Sequence, residues 1–176
     1  MTYSTQAIVL KKISVGETDA VAVLYTRDFG KIRTYAQGVK KETAKLKGHI
    51  EALSLSAVQF VLGTAGERLT YAQMLQPWQT IRNDFNRMAI ALYMVELVDR
   101  HCLIGEPDTL VWELLVSSLI ELERCDSVAV HSLVEVFEHN ILESLGYGGA
   151  KDMQALGAVL ARPFMLVYNK VVVETN

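Results

Sequence analysis

The feature that most constrains this chain is a change of hydrophobic period near residue 80. Between Thr5 and about Gln76, β-branched and aromatic residues come in short runs parted by turn chemistry. From Asp84 onward, apolar residues recur at spacings of three and four. The first pattern suits strands and the second suits helices with one face turned to a core. The chain has 176 residues and is 51% apolar, enough to bury one good core or two small ones. The expectation is an α+β protein with an all-β part over residues 1–79 and a helical part over 80–176.

Five strands are expected, over residues 6–13, 20–26, 32–37, 53–62 and 68–75. Asp28-Phe29-Gly30-Lys31 and Gly63-Thr64-Ala65-Gly66 supply hairpin turns, and a basic, strand-poor stretch, 39–48, lies between the third and fourth strands. Five antiparallel strands in some seventy residues can remove their exposed edges by curling into a small barrel, of which the OB-fold is the common version. Tyr25 and Phe60 are expected inside it, with Phe29 and Tyr35 as aromatic residues able to stack on bases.

Beyond residue 80, Phe85, Met88, Leu92 and Val95 mark one face of a first helix, and Ile90, Met94 and Leu97 on its other sides suggest a central position. Pro107 and Asp108 announce a second helix with Val111, Leu114, Leu115, Ser118 and Leu122 inward. Asp126 or Ser127 is placed to cap a third, whose inner face is Val130, Leu133, Val134, Phe137, Ile141 and Leu145, and Gly146 stops it. A weaker helix over 151–161 ends at Arg162-Pro163, and residues 164–173 read as a strand-like tail.

The net charge of −3 hides an asymmetry. Residues 1–80 hold ten Lys/Arg against six Asp/Glu, giving +4, and residues 81–176 hold seven against fourteen, giving −7. The positive charge gathers at Lys31, Arg33, Lys40, Lys41, Lys45 and Lys47, with Lys11 and Lys12 one strand away. Clustered like charges repel unless an anion answers them, and a phosphate backbone does so with release of counterions. Nucleic acid is therefore the expected ligand of these eight residues.

Catalytic and metal constellations are missing from the pattern. No nucleophile elbow, phosphate loop or dinucleotide fingerprint occurs, and His49, His101, His131 and His139 lack ligand spacing. Glu121, Glu123, Glu135 and Glu138 read as solvated outer faces of helices, and Cys102 and Cys125 as small buried thiols. No enzymatic activity, cofactor or metal is expected. No run approaches the roughly 18 apolar residues of a membrane span, and the N-terminus lacks the layout of a secretion signal, so the expected compartment is the cytoplasm.

Four runs in order, Ala7-Ile8-Val9-Leu10-Lys11-Lys12, Gly16-Glu17-Thr18-Asp19, Tyr25-Thr26-Arg27-Asp28-Phe29-Gly30-Lys31 and Ala36-Gln37-Gly38-Val39-Lys40-Lys41, resemble the opening of RecO proteins. Ile81-Arg82-Asn83-Asp84 with the stretch from Ala91 to Asp99, and Phe137-Glu138 with Leu142-Glu143-Ser144-Leu145-Gly146-Tyr147, are similar to that family's helical part. The resemblance spans roughly residues 5 to 147. It implies a non-catalytic recombination mediator that binds single- and double-stranded DNA, anneals complementary strands and assists RecA loading in gap and double-strand-break repair. It also implies RecR and the C-terminal tail of single-stranded-DNA-binding protein as partners, RecA as an indirect one, and association with the nucleoid when bound to DNA.

Many relatives continue into a cysteine-ligated zinc segment. Here Gly148-Gly149-Ala150 leads to a cysteine-free end, and zinc is not carried over. A pocket for an acidic peptide tail needs apolar walls and a cation. Arg82, Arg87 and Arg124 are the candidate cations. The alternative from another class is a protein-interaction scaffold whose helical part recruits a repair or replication partner without strong DNA binding of its own.

Overall fold

The computed structural model of the protein describes residues 1–146, apart from 42, 43, 45, 47, 65, 127 and 128 and the side chain of His131. Five strands, β1 (Thr2–Val15), β2 (Asp19–Thr26), β3 (Gly30–Ala36), β4 (Leu55–Gly63) and β5 (Gly66–Gln76), form a closed barrel in the order β1-β2-β3-β5-β4. Four helices are described after it: α1 (Gln79–Asn83), α2 (Phe85–His101), α3 (Thr109–Arg124) and α4 (Val130–Ser144). The expected helix over 151–161 and the strand-like tail lie outside the described residues. The chain forms two compact units. One is Met1–Trp78 with Cys102–Trp112, and the other is built on Gln79–His101 and the chain from Glu113 onward.

Strand β1 is longer than its alternation suggests because it serves two neighbours. Residues from Thr2 to Ile8 pair with β4 and residues from Ala7 to Val15 pair with β2, both antiparallel, with an irregularity between Val9 and Lys11 where the strand turns the barrel corner. There Val9 donates to the Ser54 carbonyl at 3.0 Å and accepts from the Leu53 N–H at 2.8 Å. Closure comes from a short parallel contact in which Thr34 and Tyr35 of β3 face Glu67 and Arg68 of β5. Both predicted hairpins are present: Thr26 pairs with Gly30, and Gly63 with Gly66.

The interior is filled by alternate residues of every strand, mixing small side chains (Ala7, Ala22, Ala36, Ala72) with large ones (Leu24, Ile32, Phe60, Leu69). Val39, where the basic stretch begins, and Ile50, just after it, are also buried in this core. Phe29 packs edge-on to Tyr3 and Phe60 at ring centroids of 5.4 and 5.3 Å, which sets it among the barrel aromatics.

Tyr25 is fully buried but not inside the barrel, contrary to the sequence reading. Its neighbour Leu24 belongs to the interior cluster, so alternation turns Tyr25 to the outer surface of β2. There the segment Cys102–Trp112 covers it. Its hydroxyl lies 3.4 Å from the Asp108 carbonyl, and Gly105 donates to the Lys31 carbonyl at 2.9 Å. Burial pushes the Tyr25 phenol far above its ordinary range. Gly30 allows this docking: its φ is +62°, and a Cβ there would overlap the backbone carbonyl of Glu106. Trp78, also buried, donates its indole N–H to the Leu53 carbonyl at 2.7 Å and ties the end of the barrel chain back to the residues that lead into β4.

In the second unit α2 is buried on several sides, as the sequence suggests, with Val95 inside; the departures are Phe85 and Leu92. Phe85 is 67% exposed and Leu92 36%, whereas Arg87, Ile90, Ala91, Met94, Leu97 and Val98 are buried. Arg87 is inside because its guanidinium donates to the carbonyls of Leu122 and Cys125, the latter at 2.7 Å, closing the C-terminal end of α3. Asp108 caps α3 as expected, accepting from Leu110 and Val111 N–H at 2.8 and 3.1 Å. Leu119 joins the predicted inner face, which Leu114 only partly enters. For α4 the cap position is Ala129, without a side-chain bond, rather than Asp126 or Ser127. Its predicted inner face is buried from Val130 to Ile141, and Gly146 follows it with φ +85°.

Candidate nucleic-acid interface

Alternation fixes what the outside of the barrel presents. Opposed residues of neighbouring strands project to the same side. On the outer surface Ile13 pairs with Val21, Val21 with Tyr35, and Tyr35 across the parallel contact with Arg68. The next row pairs Lys11 with Val23 and Val23 with Arg33. Lys11, Arg33 and Arg68 are exposed, and between them Ile13 and Tyr35 leave 47% and 36% of their surface open. Cations around an exposed ring and aliphatic contact area are the ingredients that single-strand binders combine. Sequence reading missed Arg68, because only the closure of β5 on β3 brings it beside Tyr35.

The other predicted cations are placed unevenly. Lys12 is exposed on β1 and ion-pairs with Glu51 at 2.5 Å, which offsets part of its charge. Lys31 is only 8% exposed, on the part of β3 that the segment from Cys102 covers, and presents little surface to a ligand. Lys40 is half-buried and its ammonium donates to the Gly16 carbonyl at 2.9 Å, while Lys41 is exposed one residue on. Lys45 and Lys47 lie outside the described residues.

A single carboxylate joins these pieces. Asp19, at the start of β2, accepts from the Tyr35 hydroxyl, from the Gly38 backbone N–H at 2.7 Å and from the Thr18 hydroxyl at 2.8 Å. Lys40 adds a backbone bond to the Thr18 carbonyl at 2.9 Å. The Tyr35 bond foremost, then those from Gly38 and Thr18, hold the Asp19 carboxyl below the usual carboxylate range, and the same bond pushes the Tyr35 phenol up.

Of the three arginines considered for a peptide carboxylate, Arg87 is 7% exposed and its donors already serve α3. Arg82 is half-buried on α1, and Arg124 is exposed at the end of α3. Two carboxylates read as solvated have internal roles: Glu123 accepts from the Thr80 and Ile81 N–H groups at 2.9 and 3.0 Å, and Glu138 accepts from the Tyr93 hydroxyl. Among the described residues no group of three or more His, Cys, Asp or Glu is placed to hold a metal ion, and no helix is long and apolar enough to cross a membrane. Cys102 and Cys125 are free thiols.

The barrel order and the helices after it place the chain among OB-fold proteins with a helical C-terminal part. Family models for the N-terminal and C-terminal parts of recombination protein O match residues 1–78 and 82–150. The chain belongs to the RecO family. It is 34% identical over 145 residues to the DNA repair protein RecO of Dehalococcoides mccartyi, covering 82% of this chain and 56% of that protein. The Geobacter metallireducens protein of the same name is 32% identical over 81% of this chain and 58% of its own length. That of Gloeobacter violaceus is 27% identical over 92% and 61%. The chain thus spans somewhat over half the length of these relatives.

Proposed function

We propose that this protein is a DNA-binding recombination mediator that works without chemistry of its own. It holds single- and double-stranded DNA on the outer face of β1, β2, β3 and the start of β5, and promotes annealing by keeping two strands in one positive field. The observation that carries this reading is the row structure of that face: Lys11, Arg33 and Arg68 surround the exposed Tyr35 and Ile13, with Lys40 and Lys41 following β3. Such a surface neutralises phosphates regardless of sequence. The relatives' name, DNA repair protein, agrees with it. RecR, the tail of single-stranded-DNA-binding protein, and assistance to RecA in gap and double-strand-break repair complete the proposed role, in the cytoplasm and on the nucleoid.

The test is the affinity for a fluorescent single-stranded oligonucleotide across a salt series, for the unaltered protein and the Lys11/Arg33/Arg68→Ala variant. Loss of three phosphate contacts lowers the slope of log affinity against log salt by about 2. An unchanged slope would move the DNA away from this face, and weak, salt-insensitive binding by both proteins would favour the interaction-scaffold reading.

A further inference from the structure

A carboxylate is out of place on a surface that binds phosphate. Asp19 lies at the edge of the basic face, and on charge alone it repels the ligand. Its geometry supplies a reason for it to be there. Asp19 shares the outer side of β2 with Val21, the pairing partner of Tyr35, and takes the Tyr35 hydroxyl on one oxygen and Gly38 and Thr18 on the other. A tyrosine on an exposed strand otherwise samples several rotamers, and ordering it at the moment of binding costs free energy. With the hydroxyl anchored, the ring is ordered beforehand, and 36% of the residue remains open. The Gly38 bond, with the two Lys40 bonds to the β1–β2 turn, fastens the basic segment at the same point.

Resting on the DNA-binding reading above, we infer that Asp19 is a positioning residue: it holds Tyr35 as a stacking platform for an unpaired base and fixes the Gly38–Lys41 segment beside it. The face therefore discriminates in favour of single strands, because only an unstacked base offers its ring to Tyr35.

The experiment compares affinities of the full chain for a single-stranded oligonucleotide and its duplex, in Asp19→Ala, Tyr35→Phe, Tyr35→Ala and the Asp19→Ala/Tyr35→Phe double variant. Removing a negative charge, taken alone, raises affinity for both ligands. Positioning predicts the opposite for the single strand: Asp19→Ala and Tyr35→Phe each weaken it about three- to tenfold relative to duplex. The double variant is no worse than Asp19→Ala, since both remove one interaction. Tyr35→Ala, which deletes the ring, loses roughly tenfold or more. Tyr35→Phe leaves the Gly38 and Thr18 bonds in place and decides the matter if Asp19→Ala melts early. A single-strand to duplex ratio in Tyr35→Phe equal to that of the unaltered protein overturns the positioning role while leaving DNA binding intact. Absence of salt-dependent binding in the unaltered protein overturns both.

Discussion

Glu123 on α3 accepts the backbone N–H of Thr80 and of Ile81 with its two carboxylate oxygens, at 2.9 and 3.0 Å, and so closes the start of α1 from a distant part of the chain. A five-residue helix has few internal bonds of its own. The carboxylate satisfies two of its free donors and sits at the positive end of its dipole. Glu123→Ala should lower stability by about 1 kcal/mol, and Glu123→Gln, which keeps one acceptor, by less. Denaturant melts of the three proteins check the order.

Arg87 does the complementary work for free carbonyls, at the C-terminal end of α3. Replacing it with Met keeps the packing of the stem but leaves the Leu122 and Cys125 carbonyls without their donors. A loss of about 2–3 kcal/mol is expected. Lys in its place supplies a point charge without the fork and should recover only part of it.

Gly30→Ala should be costly although it adds a single methyl group. The position needs φ +62°, and the new Cβ would overlap the Glu106 carbonyl. Strain and overlap together should reach about 2 kcal/mol or more. Loosening of the segment over Tyr25 should show as faster amide exchange at Gly105, whose N–H is bonded to Lys31.

The Asp19 bonds impose a pH dependence of definite sign. The carboxyl titrates below its ordinary value of 3.8 in the folded protein. Its contribution to stability is then fully present above that value and fades as pH falls through the lower, folded one. Thermal melts between about pH 5 and pH 2 should show a shallower acid decline in Asp19→Asn than in the unaltered protein.

The barrel was legible in the sequence because its strands alternate and its turns carry Gly and Asp, and the helix ends were legible where a cap such as Asp108 or a stop such as Gly146 marks them. What pattern cannot show is which side of a strand meets another part of the chain. Tyr25 alternates correctly yet is buried on the outside, by residues some eighty positions later. On α2 the burial of Ile90, Met94, Val95 and Leu97 was legible; that of Arg87 was not, because it counts as polar in any periodicity, while its guanidinium finishes another helix. Of the candidate site, Lys11, Arg33 and Lys41 stand exposed as their charge suggests. Arg68 and Asp19 needed the register of β5 on β3 and of the β1–β2 turn on residue 38, which are long-range pairings.

The return of Cys102–Trp112 to the outer face of β2 and β3 bears on how the protein is made. During synthesis the barrel strands are complete once Gln76 has emerged, but Tyr25 still lacks its cover. That cover follows only after all of α2. A nascent or truncated chain ending near residue 80 therefore carries the Tyr25 ring uncovered on an otherwise finished sheet, an aggregation hazard. The N-terminal part expressed alone should need residues through Trp112 before it behaves as a well-dispersed particle in gel filtration.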